Sequence, residues 1–235
     1  AWFLVPSIWA AGGAAGWKAP GGAMIGADPE AVSEARLILI WGANPVVSNL
    51  HGWRHLQEAK RRGARLVCID PRRSETAAKC DLHLAPLPGT DGALALAIMQ
   101  VLIAEDLLDR DYIARHTLGF DELAARVREC TPAWAAARTG LAEADILVLA
   151  RAYGREPRSL IRLNYGLNRC RGGGMAVRNV ACLPALTGAW RHAGCGALLS
   201  TSGNFPVDEA ALARPDLYPA SAPPRTINMA FIGDA

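Results

Sequence analysis

A regular alternation of apolar strands and helical segments constrains the fold of this 235-residue chain more than any other feature. The run Leu37–Trp41 is apolar at every position, which is expected of a strand buried on both faces. A turn sequence follows it, and a helical pattern over about 49–62 ends at Gly63. A second buried strand is predicted over 65–70. Two strands joined by a helix indicate a parallel pair with a crossover connection.

The same alternation continues along the chain. A third strand is predicted over 82–87 and a helix over 91–108, whose apolar residues recur at helical spacing. Further on, the pattern predicts helices over 121–130 and 143–153, a strand over 159–164 and a helix over 175–186, whereas 194–235 shows little periodicity. We therefore predict an α/β fold with a doubly wound, largely parallel, Rossmann-like sheet and an additional helical and αβ section.

On this pattern the chain divides into four sections. They are a Gly/Ala-rich segment at 1–35, a Rossmann-like core at 36–108, a helical section at 109–158, and a second αβ section with an irregular C-terminal segment at 159–235. The length suits one large or two small domains with a substantial core.

Composition excludes several classes of protein. With 51% hydrophobic residues and a net charge of +3, the chain is neither disordered nor basic enough to indicate a nucleic-acid partner. No apolar run reaches the roughly 18 to 20 residues that a membrane span needs. The six cysteines include no C-x-x-C pair, so we predict no zinc or iron–sulfur site within this chain. Their apolar surroundings favour free thiols in a reduced compartment, and hence the cytoplasm rather than the periplasm.

Glycine and polar residues follow each predicted strand, at the edge where a doubly wound sheet binds its ligands. The turn Gly42–Pro45 offers close backbone approach and a helix N-terminus to a phosphate, although a plain βα turn uses the same residues. Asp70–Ser74 supplies an acid for a ribose or base edge and arginines for phosphate oxygens, although Asp70 also suits a helix cap. The pattern predicts a nucleotide-like ligand.

Two more strand ends carry similar residues. Thr90 or Asp91 is an expected N-cap of the next helix, and Tyr165 begins a loop that leads to a triple glycine at 172–174. His51 and His55 are spaced as i, i+4 on a helix, where a surface or interhelical role is favoured over a metal site. The residues alone reveal no reacting centre.

Together these motifs resemble the molybdopterin oxidoreductase family, which includes DMSO reductase, formate dehydrogenase and nitrate reductase. The resemblance rests on Ile40–Pro45, Cys68–Ala77 and Pro88–Ala95, in this order and spacing. It extends through Asp109–Thr117 and Leu183–Gly188, so it covers nearly the whole chain.

The resemblance implies a bis(molybdopterin guanine dinucleotide) cofactor that holds Mo or W. Residues 41–45 would line the phosphate-binding turn of one guanine dinucleotide, and residues 70–74 would meet its ribose and guanine. Residues 89–91 would close over the same end, and the loop after residue 164 would lie near the pterin and metal. The candidate cofactor-binding residues are Trp41, Gly42, Ala43, Asn44, Pro45, Asp70, Pro71, Arg72, Arg73, Ser74, Gly89, Thr90, Asp91, Tyr165, Gly166 and Arg169.

The implied activity is transfer of an oxygen atom or a hydride equivalent on a small-molecule substrate. In the family, electrons leave through a [4Fe–4S] centre near the N-terminus, which we expect outside this chain. We therefore expect a central section of a longer catalytic subunit, whose partners are the rest of that subunit and an iron–sulfur electron-transfer subunit.

The metal ligand departs from the family pattern. Trp9 stands where many members carry Cys, Ser or selenocysteine, just before Ala15–Lys18, so no metal ligand is assigned. Two alternatives stay open. One is a non-catalytic homologue with a structural and electron-wiring role, as in the large iron–sulfur subunit of respiratory complex I. The other is a fragment that folds without a cofactor.

Overall fold

The computed structural model describes residues 10–201, 207–208, 211–212 and 214–217, so the predicted position of the metal ligand, Trp9, lies outside the described residues. Within these ranges, five strands form one all-parallel sheet in the order β3-β2-β1-β4-β5. The strands are β1 (Leu37–Trp41), β2 (Arg65–Ile69), β3 (Leu82–Leu84), β4 (Ser159–Leu163) and β5 (Gly196–Leu198).

Helices flank the sheet on both faces. The α-helices of the described part are α1 (Ala11–Gly21), α2 (Pro45–Ser48), α3 (Leu50–Arg61), α4 (Asp91–Ala104), α5 (Arg110–His116), α6 (Phe120–Val127), α7 (Pro132–Thr139), α8 (Glu143–Arg155) and α9 (Gly173–Leu186). Short 3₁₀ helices occupy Ala31–Glu34, Ala77–Lys79, Tyr165–Asn168, Ala189–Arg191 and Pro215–Leu217. In the part of the chain with assigned positions, no helix combines the length and the apolar character needed to cross a membrane.

The strand order confirms the predicted doubly wound sheet. The chain runs from β1 outward to β3, and then crosses through α4–α8 to β4 on the opposite side of β1. The direction of winding therefore reverses between β1 and β4, and their carboxyl ends form the switch point at which such sheets bind ligands.

Strand β1 shows why the central apolar run is continuous. Leu39 and Trp41 pack into the larger core, which includes residues of α4, α8 and α9. Ile38 and Ile40 point to the opposite face and pack into the smaller core, which includes residues of α3. Because successive side chains alternate between two covered faces, every position of the strand is buried.

Several predicted boundaries are wrong at their ends. The third strand stops at Leu84 rather than residue 87, because Leu87 N donates instead to Thr139 O at 2.8 Å. The helix predicted over 91–108 ends at Ala104. The prediction of little structure after residue 194 missed β5, a three-residue strand that pairs with β4 but is too short to show a period.

Two helices within the section at 109–158 were also missed, although their cap signals are readable. Asp109 precedes α5 and its side chain accepts from Tyr112 N at 2.8 Å. Thr131 caps α7 in the same way and is followed by Pro132 at the first helical position.

Close backbone packing joins α1 to α9. Gly16 faces Gly174, and a Cβ added at Gly16 would collide with the carbonyl group of Gly174. Gly12 lies on the same helix, but a Cβ added there would meet nothing within 4 Å. Substituting alanine at Gly16 and, separately, at Gly12 therefore distinguishes the effect of the contact between the helices from the effect of the helix propensity of alanine.

We expect Gly16→Ala to lower the free energy of unfolding by about 1–3 kcal/mol, because α1 would have to move away from α9. Gly12→Ala should leave stability unchanged or raise it by up to about 1 kcal/mol. Urea unfolding followed by circular dichroism measures both variants. Equal effects of the two substitutions would contradict the close packing of these helices.

Candidate functional site

The loops after β1 and β4 touch backbone to backbone at the switch point. Gly42 follows β1 with a φ of +57°, which a residue with a side chain rarely adopts, and its N–H donates to Ile69 O at 2.9 Å. Gly166, in the loop after β4, lies so close that an added Cβ would collide with the carbonyl oxygen of Gly42. Glycine at both positions is therefore what allows the two loops to meet.

A buried hydrogen bond ties the end of β1 to the start of α4. The indole Nε1 of Trp41 donates to Asp91 Oδ1 at 2.7 Å, and Trp41 is fully buried. Burial raises the pKa of Asp91, while the hydrogen bond from Trp41 opposes that shift. The polar groups of these two side chains bond to each other. They therefore hold the loops after β1 and β3 in position and do not form part of the exposed surface.

A second set of hydrogen bonds joins the loop after β1 to the loop after β2. Asn44 Oδ1 accepts from the hydroxyl of Thr76 at 2.7 Å, and Asn44 Nδ2 donates to Glu75 at 2.9 Å. Thr76 is buried, so it is a structural anchor. Ala43 and Pro45, on either side of Asn44, are buried as well. In this loop, the backbone at Gly42 is partly exposed and is available to a ligand.

The loop after β2 carries exposed charge on a fixed turn. Asp70 Oδ1 accepts from Arg72 N at 2.9 Å, so the carboxylate organises a turn rather than capping a helix. Ser74 is buried at the base of the loop, where its hydroxyl accepts from Ala77 N at 3.2 Å. Pro71, Arg72 and Arg73 are exposed.

The loop after β3 reaches the loop after β4. Gly89 has a φ of +85°, and a Cβ added there would lie 3.3 Å from Cys170 Cβ. Thr90 occupies the expected N-cap position of α4, but its hydroxyl donates to Leu87 O at 2.6 Å and does not cap the helix. The N-terminus of α4 thus opens at the same edge of the sheet as the other loops, and its dipole is positive there.

The loop after β4 completes this group. Tyr165 and Gly166 begin a 3₁₀ helix, and Arg169 follows it with an exposed side chain. The structure therefore brings the four predicted strand ends to one edge of the sheet. The candidate residues divide into buried anchors and exposed groups. The exposed or partly exposed candidates are Gly42, Asn44, Asp70, Pro71, Arg72, Arg73, Gly89, Thr90, Tyr165, Gly166 and Arg169.

A cavity of about 270 Å³ lies at the same edge, beside β4 and β5. His51 and His55 line it together with Arg162, which sequence reasoning did not single out. Arg162 pairs in register with Ile40 and so faces α3, and its guanidinium donates to Leu199 O at 2.9 Å. Burial lowers the pKa of Arg162. Among the described residues, no group of three or more His, Cys, Asp or Glu side chains is placed to hold a metal ion.

The fold and its strand-end loops define a doubly wound α/β protein. The carboxyl edge of its sheet, the candidate ligand edge, presents backbone and arginine side chains. Comparison with known proteins identifies the family, because the family model described as "Molybdopterin oxidoreductase" matches residues 17–210. The chain belongs to the molybdopterin oxidoreductase family.

Individual relatives agree with this assignment. The chain is 38% identical over 230 residues to the probable oxidoreductase YoaE of Bacillus subtilis, covering 98% of this chain and 34% of YoaE. It is 33% identical over 201 residues to formate dehydrogenase H of Escherichia coli, covering 84% of this chain and 28% of that protein. The structure of acetylene hydratase from Pelobacter acetylenicus matches 77% of this chain and 25% of that one, with a TM-score of 0.70 and 26% identity. The chain thus spans about a third of YoaE and about a quarter of the other two.

The contact between Trp41 and Asp91 yields a test of the anchoring role. Asp91→Ala should lower the free energy of unfolding by about 1–3 kcal/mol, because it leaves a buried indole N–H without an acceptor. Asp91→Asn keeps an acceptor of the same shape and should cost clearly less. Denaturant titrations at neutral pH compare the two variants. Equal losses would mean that the hydrogen bond does not anchor α4.

The same pair has a pH dependence of defined sign. Because the pKa of Asp91 is raised in the folded state, its contribution to stability is largest when it is protonated, below its unfolded pKa. That contribution is lost as pH rises through the raised folded pKa. Asp91→Asn should therefore gain stability relative to the unmodified chain as pH rises through this window, which urea titrations at several pH values would show. A difference that stays constant with pH would contradict the raised pKa.

Proposed function

We propose that this chain holds one guanine dinucleotide of a bis(molybdopterin guanine dinucleotide) cofactor with Mo or W, as part of an oxidoreductase. The observation that carries the proposal is the convergence of four strand-end loops at the switch point, with exposed arginines on two of them. The proposed enzyme acts on a small-molecule substrate and passes electrons to an iron–sulfur subunit. We place it in the cytoplasm rather than the periplasm, on the strength of its free cysteines.

The exposed groups of the site fit a ligand that carries a pyrophosphate between two sugars. Arg72, Arg73 and Arg169 supply exposed guanidinium groups for phosphate oxygens. Gly42 and Gly166 present backbone without side chains, which permits close approach of a phosphate group. Asp70 supplies an acceptor for a ribose hydroxyl or for the amino group of guanine.

The buried residues of the same loops supply preorganisation. Trp41 and Asp91 fix the start of α4, and Asn44 with Thr76 fixes the loop after β1 against the loop after β2. A ligand bound across these loops meets backbone that is already held in place, so little ordering entropy is lost on binding. When bound, the metal of such a cofactor changes oxidation state and so supports transfer of an oxygen atom or a hydride equivalent.

The names of the relatives favour a cofactor-holding role for this segment over substrate selection. They include a formate dehydrogenase, a probable dimethyl sulfoxide reductase chain and an acetylene hydratase, which by name act on unlike substrates. A segment that these proteins share is expected to serve what is common to them. We therefore assign the choice of substrate to residues elsewhere.

The content of the natively purified protein tests the proposal. We expect Mo or W together with about two guanine nucleotides released per metal on acid hydrolysis, measured by inductively coupled plasma mass spectrometry and liquid chromatography. Protein that is folded but contains neither metal nor pterin would overturn the proposal and support a non-catalytic or cofactor-free relative instead.

Two substitutions of Asp70 separate ligand binding from loop structure. Asp70→Asn keeps an oxygen that accepts from Arg72 N but removes the charge, whereas Asp70→Ala removes both. A charge-assisted hydrogen bond contributes about 1.5–3 kcal/mol. We therefore expect the amount of guanine nucleotide retained by both variants to fall by a factor of about 10 or more. Nucleotide content after gel filtration measures retention. Full retention in Asp70→Asn with loss only in Asp70→Ala would show that Asp70 acts through the turn alone.

A further inference from the structure

The cavity beside β4 and β5 contains none of the residues assigned above to the dinucleotide. It is lined by β4, by the start of α3, by the end of β5 with the residues after it, and by residues 29–30. Its volume is about 270 Å³, whereas cavities that hold drug-sized ligands measure roughly 300–1,000 Å³. Its size therefore suits a small ligand.

Arg162 lies in the wall of this cavity and is held there by backbone carbonyl groups. Its Nη1 donates to Leu199 O at 2.9 Å, to Leu198 O at 3.2 Å and also to Leu163 O. A guanidinium group carries five N–H donors in one plane. In the described part of the chain, the Nε and Nη2 atoms of Arg162 donate to no protein group. The bonds of Nη1 therefore fix the group, while its other nitrogens retain donors for a ligand.

The charge of Arg162 has no counterion among the residues that the structure describes. The side chain is partly buried, and burial lowers its pKa, although a guanidinium stays protonated in proteins. The carbonyl oxygens accept its hydrogen bonds but carry no full charge. Glu30 lines the same cavity, but it is exposed and forms no ion pair with Arg162. A cation withdrawn from water in this way is stabilised by an anion.

Two histidines of α3 line the cavity together with Arg162. His51 and His55 are one helical turn apart. An imidazole donates a hydrogen bond through a ring nitrogen in either charge state. The first turn of α3 also brings the positive end of the helix dipole to the cavity. Donors therefore approach from β4 and from α3 in different directions, which suits a tetrahedral oxyanion better than a planar carboxylate.

We propose that this cavity binds an oxyanion of the phosphate class, with Arg162 as its charged anchor and with His51 and His55 as further donors. Guanidinium and imidazolium groups form charge-assisted hydrogen bonds with phosphate oxygens. Because the cavity lies at the same edge as the strand-end loops, the anion is either free phosphate or the pyrophosphate of the dinucleotide proposed above. The site rests on its own lining in both cases.

Calorimetric titration with inorganic phosphate tests the proposal. The natively purified full-length protein is titrated in a buffer without other oxyanions, and its guanine nucleotide content is measured on the same sample. We expect saturable uptake of one phosphate per chain wherever no cofactor phosphate fills the cavity. Such uptake by protein that contains no dinucleotide supports the anion site even though the proposed function then fails.

Three variants assign the binding to the cavity. Arg162→Lys keeps the charge but removes the planar fork, and should raise the Kd of phosphate by a factor of about 10 or more. His55→Gln should raise the Kd by about 2- to 10-fold, and it decides the question if Arg162→Lys fails to fold. Arg54→Gln is the matched control, because it removes an exposed cation from the same helix outside the cavity and should leave the Kd unchanged.

A crystal structure of the same protein grown with phosphate distinguishes the two sources of the anion. A separate phosphate against Arg162 identifies a free anion. Pyrophosphate of the dinucleotide in the cavity identifies the cofactor, and nucleotide retention then replaces the Kd as the measurement on the variants. The proposal is overturned if solution titration shows no uptake and no cofactor phosphate lies in the cavity, since phosphate seen only in the crystal is an adventitious ion only. Equal effects of His55→Gln and Arg54→Gln also overturn it.

Discussion

The hydrogen bond from the indole of Trp41 to Asp91 is the interaction on which the candidate ligand edge of this protein depends. It joins the end of the central strand to the first turn of α4, across 50 residues of sequence, and links a fully buried indole to a largely buried carboxylate. Because an unpaired donor or carboxylate at such depth costs more than the bond contributes, the two groups fix each other's position. The loops after β1 and β3 are consequently held in one arrangement before any ligand binds.

In these loops, the residues that hold the loops in place differ from the groups that are exposed to a ligand. Asn44 and Thr76 bond to each other across two loops, and the Ser74 hydroxyl accepts from Ala77 N within its own loop. The candidate ligand edge is therefore formed by backbone and by long charged side chains. The glycines at 42 and 166 complete this division, since the loops on the two sides of the switch point meet only where both lack a Cβ.

The sequence predicted the fold closely, and it located the loops of the candidate site without showing the contacts that hold them. The bounds of β1 are those predicted, because a strand covered on both faces leaves an uninterrupted apolar run, and β2 matches to within one residue. The ends of β1, β2 and β4 were located to within one residue, since turn residues mark them, whereas β3 ends three residues before its predicted end. The sequence could not show which side chains form hydrogen bonds within the protein and are therefore not available to a ligand. Trp41 and Asp91 read as turn and cap residues, and only their pairing in space identifies them as anchors. Strand β5 was missed because three residues are too few to show a periodic pattern of apolar residues. Arg162 was missed because a single arginine within a strand forms no recognisable motif.

An experimental structure of the natively purified, cofactor-loaded protein tests the central claim most directly, since the claim concerns where a guanine dinucleotide lies. The account predicts guanine and ribose density against the exposed face of Asp70–Ser74, and phosphate density beside the backbone at Gly42 and Gly166. The Trp41–Asp91 hydrogen bond should be unchanged from its present 2.7 Å. Cofactor density that leaves these loops in contact with solvent would contradict the account.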